Sequence, residues 1–305
     1  MENNSLKFKD IELSDKEWAD SLLAISDFQG TEYCFTSLYI WSAVYSSKIA
    51  RFGDFLIVRS GSGSEAGYLF PAGSGDVKAA IEAMMEDASS LGRKFSLMSL
   101  TDRTMHIVDG LFPGKFEFVP VRNSYDYVYR REDLVSLSGR KYQAKRNFIA
   151  RFMELPGWEY VPVHYDSPDC GELIGECMRM NEVWCRKNGC AQNLSMSQES
   201  CAVRRALSDF RQLRLTGGIL RAGGDTVAYT VGERLNSDTF IVHVEKVFSE
   251  VKGAYPMINR SFIEHEAGDC IYVNREDDAG DEGLRKAKLS YHPAFMIEKY
   301  LAVKK

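Results

Sequence analysis

The 305-residue chain has no Cys-x-x-Cys pair, no P-loop, no Gly-x-Ser-x-Gly elbow and no Gly-x-Gly-x-x-Gly fingerprint. These absences argue against zinc ribbons and thioredoxin-like chemistry, phosphate-loop NTPases, α/β-hydrolases and nicotinamide enzymes. Long apolar runs are also missing. Stretches such as Leu38-Tyr39-Ile40-Trp41 fall far short of the roughly 18 residues that suggest a spanning helix. Met1-Glu2-Asn3-Asn4-Ser5 lacks the basic start and apolar run of a signal peptide. Positive charge is in deficit: 38 Lys and Arg face 43 Asp and Glu, a net charge of −5. Nucleic acid or anionic lipid must therefore be met by a local patch. The seven cysteines (Cys34, Cys170, Cys177, Cys185, Cys190, Cys201 and Cys270) are odd in number and irregularly spaced. That favours reduced thiols, a cytoplasmic setting and no metal.

What is present suits a folded protein. Hydrophobic residues make up 45% and aromatics 12% of the chain, too much apolar material for disorder. Periodicity predicts helices over Ser14–Ser26, opened by a Ser14–Glu17 capping box, and over 35–45, 76–90 and 101–111. Strands are expected at 54–58, 66–70, 95–99, 116–119 and 125–129. A similar order follows: helices at 139–155, 168–187 and 195–210, strands at 158–164, 217–221, 226–233 and 238–247, then a helix at 254–267, a strand at 270–274 and a short helix at 281–288. This is an α/β (α+β) chain of two units of similar plan, expected to divide into residues 1–135 and 136–305.

The most informative stretch is Gly139-Arg140-Lys141-Tyr142-Gln143-Ala144-Lys145-Arg146-Asn147-Phe148-Ile149-Ala150-Arg151-Phe152. Seven basic residues against Glu132 and Asp133 give Arg130–Arg151 a local charge of +5. At about 100° per residue, Arg140, Arg146 and Arg151 share an outer side, while Lys141 and Lys145 fall in a stripe with Phe148 and Phe152. Either the two lysines snorkel, or they line a cavity that receives an anion such as phosphate.

Two other segments concentrate chemistry. Along Thr239–Val247, alternation puts His243 and Glu245 on one strand face. Gly253-Ala254-Tyr255 then leads into a helix bearing Asn259, a strand–Gly loop–helix arrangement suited to an anion or oxyanion. Near the C-terminus, Asn274-Arg275-Glu276-Asp277 follows an apolar strand and can orient an amine or move a proton. Arg285, Lys286 and Lys288 follow on one short helix. His106, His164, His265 and His292 have neither metal nor triad spacing.

These segments carry a resemblance. Leu137-Ser138-Gly139-Arg140-Lys141-Tyr142 with Lys145-Arg146-Asn147, Glu245-Lys246 with Gly253-Ala254-Tyr255, and Asn274-Arg275-Glu276-Asp277 with Gly283-Leu284-Arg285-Lys286-Ala287-Lys288-Leu289-Ser290-Tyr291 resemble the phosphatidylglycerol lysyltransferase C-terminal domain family. The resemblance spans roughly residues 20 to 300. It implies two tandem N-acetyltransferase (GNAT) folds, each a mixed, mainly antiparallel sheet flanked by helices, as in the Fem peptidyltransferases. It also implies aminoacyl-tRNA as donor, no separate cofactor, and a phosphate-bearing acceptor such as phosphatidylglycerol, reached by peripheral membrane contact. On that reading Glu245, Asp277 or His243 is the base. Lys141, Lys145 and Lys246 hold phosphate, and Asn274 and Glu276 hold the donor amine. Gly253, Tyr255, Asn259, Arg275, Arg285, Lys286, Lys288 and Tyr291 complete substrate binding. Arg140, Arg146 and Arg151 meet the tRNA backbone. The acetyl-CoA loop of GNAT domains is not intact at Val251-Lys252-Gly253-Ala254-Tyr255, which disfavours the alternative acyl-CoA donor. A non-catalytic anion-binding module is the further alternative.

Overall fold

A computed structural model describes residues 6–62 and 67–305. Ala66, the first residue of one expected strand, and the pentapeptide at the start of the chain lie outside them. The chain forms two compact units. Unit 1 runs to Tyr127 and takes in Asp277–Lys286 and Met296–Lys305, while unit 2 comprises Val128–Glu276 and Ala287–Phe295.

Unit 1 contains β1 (Lys9–Asp10), α1 (Lys16–Ser26), α2 (Phe35–Tyr45), β2 (Lys48–Phe52), β3 (Phe55–Ser60), β4 (Gly67–Leu69), β5 (Ala72–Gly73), α3 (Val77–Ser90), β6 (Ser96–Leu100), α4 (Asp102–Leu111) and β7 (Phe116–Pro120). β8 (Asp126–Arg130) leads into unit 2, which holds α5 (Arg131–Ser136), α6 (Gln143–Met153), β9 (Glu159–His164), α7 (Cys170–Asn188), α8 (Leu194–Ser208), α9 (Phe210–Leu213), β10 (Thr216–Ala222), β11 (Asp225–Arg234), β12 (Thr239–Val247), α10 (Ala254–Glu266) and β13 (Tyr272–Asn274). The chain ends in α11 (Glu282–Leu289), β14 (Phe295–Ile297) and β15 (Tyr300–Lys304).

The strand order in the first sheet is β1-β2-β3-β4-β6-β15-β7, and in the second β14-β8-β13-β12-β11-β10-β9. Each sheet combines antiparallel ladders with a parallel pair, β4 with β6 and β12 with β13. A helix lies between the paired strands, α3 in one unit and α10 in the other, as parallel pairing requires. This repeated plan is the one expected.

The compact units are not the contiguous halves expected at residue 135. β15 hydrogen-bonds to β6 on one side and β7 on the other, so the last strand of the chain belongs inside the first sheet. The core of unit 1 gathers side chains from these strands and helices, including Ile57, Tyr68, Met84, Leu97, Phe116 and Ala302. The capping box shifts from Ser14 and Glu17 to Glu12 and Asp15: Asp15 accepts the Glu12 N–H at 2.9 Å, and a 3-10 turn over Leu13–Asp15 precedes α1. α2 and α3 form where expected, the latter capped by the Asp76 carboxylate on the Ala79 N–H at 3.0 Å.

The basic helix turns a different face inward. Its buried or half-buried stripe is Tyr142, Lys145, Ile149 and Phe152, whereas Phe148 is 42% exposed. The cause is a 3-10 opening over Arg140–Tyr142. At three residues per turn it advances about 120° per residue and rotates Lys141 out of the stripe.

Candidate active site

The site is built on the parallel β12–β13 pair of unit 2. β13 pairs with Thr239–Ile241 and ends at Asn274, while β12 continues to Val247. The residue after β13, Arg275, lies against the later part of β12. Its Nη2 donates to Glu245 Oε1 at 3.0 Å. Asn259, from the second turn of α10, donates through Nδ2 to Glu245 Oε2 at 3.1 Å. Two expected site residues thus converge on the carboxylate of a third.

Arg275 sits near the rings of Tyr129 and Tyr291, with centroids 5.7 and 4.9 Å away. Burial opposes its charge, but Glu245 and the two tyrosines outweigh it and its pKa is raised. Lys145 reaches this cluster from α6. Its Nζ is 3.8 Å from the Tyr291 ring centroid and donates to Ser290 Oγ at 2.8 Å. Burial and the Arg275 charge push the lysine down to about 8, with Glu245 pulling the other way. Two atoms of the cluster are buried without a hydrogen-bond partner: Arg275 Nη1, a donor, and Asn259 Oδ1, an acceptor. Such groups cost about 1–3 kcal/mol each when left unpaired.

Neighbouring candidates support the frame. Lys288 Nζ donates to the Arg275 carbonyl at 2.6 Å, and Tyr129 donates to the Lys288 carbonyl at 2.8 Å. Asn274 is buried and accepts the Glu276 N–H at 2.7 Å, fixing Glu276 at φ +57°. Glu276 Oε1 then lies 3.1 Å from His243 Nδ1, and Glu233 Oε1 lies 3.0 Å from Nε2. A carboxylate thus lies at each ring nitrogen of His243. Tyr255 is 44% exposed on the first turn of α10. Partial burial, with the charges of Glu245 and Glu199, pushes its phenol up.

Other candidates are placed elsewhere. Lys246 follows Glu245 in a strand and so projects from the opposite sheet face. There it is 6% exposed, donates to Glu199 at 2.7 Å and packs 3.9 Å from a Trp184 ring centroid. Lys141 is exposed and 3.9 Å from Asp133. The expected convergence of Lys141, Lys145 and Lys246 therefore does not occur. Arg146 donates to the Leu137 and Gly139 carbonyls and to Gln143, closing the turn before α6. Arg140 and Arg151 remain exposed. Gly253 offers no open cradle, because a Cβ there would lie 2.1 Å from the Phe148 carbonyl oxygen.

Asp277, Arg285 and Lys286 belong to unit 1. Asp277 Oδ1 accepts the Ala279 N–H at 2.9 Å, and Lys286 is exposed. The residue that organises this loop is Asp278, which sequence reasoning passed over. It is fully buried and accepts from Arg285, Arg122, Tyr127 and the Gly280 N–H. Burial opposes its ionisation, but these donors, Arg285 foremost, hold it well below the usual carboxylate range. Its stabilisation is therefore complete above the unfolded carboxylate pKa near 4 and fades as pH falls towards the lower folded value. Asp278→Ala should remove on the order of 2 kcal/mol, its arginine partners being partly solvated. Urea denaturation at pH 7 and pH 3 checks this, since the difference between variant and parent should shrink at the lower pH.

Residues 23–303 match the family described as phosphatidylglycerol lysyltransferase, C-terminal. The chain belongs to that family. A conserved protein of unknown function from Bacteroides thetaiotaomicron is 39% identical with a TM-score of 0.92, the match covering 98% of this chain and 100% of that one. The C-terminal domain assigned to a lysylphosphatidylglycerol synthetase of Agrobacterium fabrum is 15% identical, with a TM-score of 0.69 over 96% of this chain and 92% of the other. A tandem GNAT protein of the clavulanic acid biosynthesis pathway is 10% identical, with a TM-score of 0.50 over 98% of each chain, and shares the fold. An uncharacterized Mycoplasmoides gallisepticum protein is 27% identical over 191 residues, 59% of this chain but only 56% of that protein's length. Like the family domain expected from the sequence, the chain has tandem GNAT-like sheets. Among the described residues no helix is long and apolar enough to cross a membrane.

Proposed function

We propose that the chain moves an aminoacyl group from aminoacyl-tRNA to a hydroxyl of a phosphate-bearing acceptor, with phosphatidylglycerol the acceptor most in keeping with its family. The observation that carries the reading is the Glu245–Arg275–Asn259 cluster with its partnerless buried donor and acceptor. The ester is already activated, so the site must position an attacking oxygen, take its proton and stabilise an oxyanion. The acceptor oxygen bonds to the ester carbonyl carbon, and the tetrahedral species then expels the tRNA ribose oxygen. Arg275 Nη1 suits the oxyanion, while Asn259 Oδ1 and Glu245 suit the ammonium of the aminoacyl group.

Lys145 is the base that fits best. Both Glu245 oxygens accept hydrogen bonds, from Asn259 and from Arg275, so this carboxylate holds those two side chains in place. Lys145, held at about 8, takes the proton of the attacking hydroxyl and returns it to the departing ribose oxygen. Arg140 and Arg151, exposed on and beside α6, suit the tRNA backbone and give salt-dependent binding. Such a donor implies a cytoplasmic setting. An acyl-CoA donor is less suited to this site. The Gly253 approach is filled by α6, the Ala254 N–H goes to the Val251 carbonyl, and Pro256 has no N–H.

The test supplies aminoacyl-tRNA charged with radiolabelled amino acids and phosphatidylglycerol vesicles, and follows label into the organic phase. The expected rate rises with pH to about 8 and then levels. Lys145→Met should lose this limb and about 10²–10³-fold in rate. The reading fails if no amino acid is transferred from tRNA, whether to lipid or to a soluble glycerophosphate.

A further inference from the structure

The C-terminal end of α7 brings two thiols together. α7 stops at Asn188, and Gly189 follows in the left-handed region at φ +69°, with its N–H on the Cys185 carbonyl. Such an ending turns the chain back over the last helical turn, so the residue after the glycine meets a side chain of that turn. The contact is ordinarily apolar. Here both partners are cysteines, Cys185 and Cys190. Cys190 Sγ donates to Cys185 Sγ at 2.6 Å. Unbonded heavy atoms pack at about 3.5–4.0 Å, and bonded sulfurs lie about 2.05 Å apart. The two thiols are closer than packing requires, and a bond between them asks little movement of the chain.

Their surroundings suit thiol exchange. Cys185 is half-buried, so a small oxidant reaches it, whereas Cys190 is buried. Cys185 Sγ also donates to Ser200 Oγ at 3.2 Å. Burial and the neighbouring thiol push the Cys190 thiol up, and Lys246 pulls it back. Lys246 is the motif lysine that lies on the far face of β12 from Glu245, where its ammonium packs on Trp184, the residue before Cys185. Arg186 and Lys187, both exposed, put positive charge at the approach, which draws an anionic oxidant. A metal is less suited. Two thiolates supply half of a tetrahedral set, the Lys246 charge opposes a further cation, and Glu199 is already paired to that lysine.

We propose that Cys185 and Cys190 form a reversible disulfide, made by exchange with a low-molecular-weight disulfide such as oxidised glutathione. The Cys185 thiolate attacks one sulfur of the oxidant, and the other leaves as a thiolate. Cys190 then loses its proton and attacks the Cys185 sulfur of the mixed disulfide, expelling the second thiolate. Two protein thiols are oxidised, the disulfide of the reagent is reduced to two thiols, and the two protons pass to those products. In a reducing setting the reverse steps restore both thiols. The bridge ties the end of α7 to the 3-10 turn Cys190–Gln192. The inference does not rest on aminoacyl transfer.

The test treats the folded full chain with oxidised glutathione at ~5 mM and maps tryptic peptides by mass spectrometry. Peptide 180–186 should be joined to 188–204 with the mass of two hydrogens lost, fragmentation placing the bond at Cys190. Cys201, exposed on the same peptide, should stay outside the bridge. Dithiothreitol at ~5 mM should restore both thiols. Cys190→Ser should abolish the bridge and leave a mixed disulfide on Cys185, while Cys201→Ser should leave the bridge intact. An equimolar amount of phenylarsine oxide, which needs two adjacent thiols, should block bridging in the unaltered chain, a readout independent of how the variants fold. No bridge, a bridge to Cys201, or a bridge that dithiothreitol does not open overturns the proposal. So does zinc bound mole for mole that shields both thiols.

Discussion

Glu245→Gln should lower kcat/KM for aminoacyl transfer by about 10³-fold, near 4 kcal/mol of transition-state stabilisation. The substitution keeps the shape of the side chain and one acceptor oxygen, but it removes the charge that opposes Arg275. That guanidinium lies among Tyr129, Tyr291 and Lys145. With Glu245 neutral, two cations face each other with less to hold them. A second consequence separates this effect from simple misfolding. Glu245 raises the Lys145 pKa while burial and Arg275 lower it, so its loss should shift the limb of the pH–rate profile to below about 8. A lower rate with the limb unmoved would show that Glu245 acts without Lys145. Glu245→Gln combined with Lys145→Met should cost little more than the worse single change, because residues acting as a unit are not additive.

Gly253→Ala should destabilise unit 2 by at least about 3 kcal/mol, combining a clash with left-handed strain. At φ +90° the position disfavours any side chain. The added Cβ would sit 2.1 Å from a backbone carbonyl of α6, which cannot swing aside as a side-chain tip can. Relief requires α6 to move off α10, carrying Lys145 away from Tyr291 and Arg275. Gly223→Ala is the control: its φ is +62° but nothing lies within 4 Å, so only the local penalty of about 1 kcal/mol applies. Thermal denaturation should show the midpoint falling by roughly 6–12 °C for Gly253→Ala and by about a third of that for the control. Equal losses in the two variants would remove the packing argument and leave only backbone strain.

The elements that could be read from the chain were those with a clear period. α2, α3 and the long strands β10–β12 stand where alternation or 3.6-residue spacing put them. β2 was missed because Lys48 and Arg51 hide its short apolar pattern, and α5 because it has only six residues. β15 was missed for a different reason. Tyr300–Lys304 carries a modest strand signal, and its place between β6 and β7 depends on partners far away in the chain. In the site, Glu245, Asn259, Arg275, Tyr291 and Lys145 were legible as residue types in motifs. Their roles were not, because a partnerless Nη1 or a lysine beside a buried guanidinium arises only from packing. For Lys246 strand alternation alone sets the side chain opposite Glu245. For Lys141 nothing in the local pattern announces the 3-10 opening before α6.

The position of β15 bears on how the protein is made. On a ribosome, β6 and β7 emerge early with the rest of unit 1, yet the strand that joins them is synthesised only after all of β9–β13. Until then each presents an unpaired edge, the feature by which nascent chains pair with the wrong neighbour. Unit 2 has no such wait for its β9–β13 ladder, whose strands arrive in succession. The second unit is therefore expected to mature first and the first to finish last, reversing the order of translation.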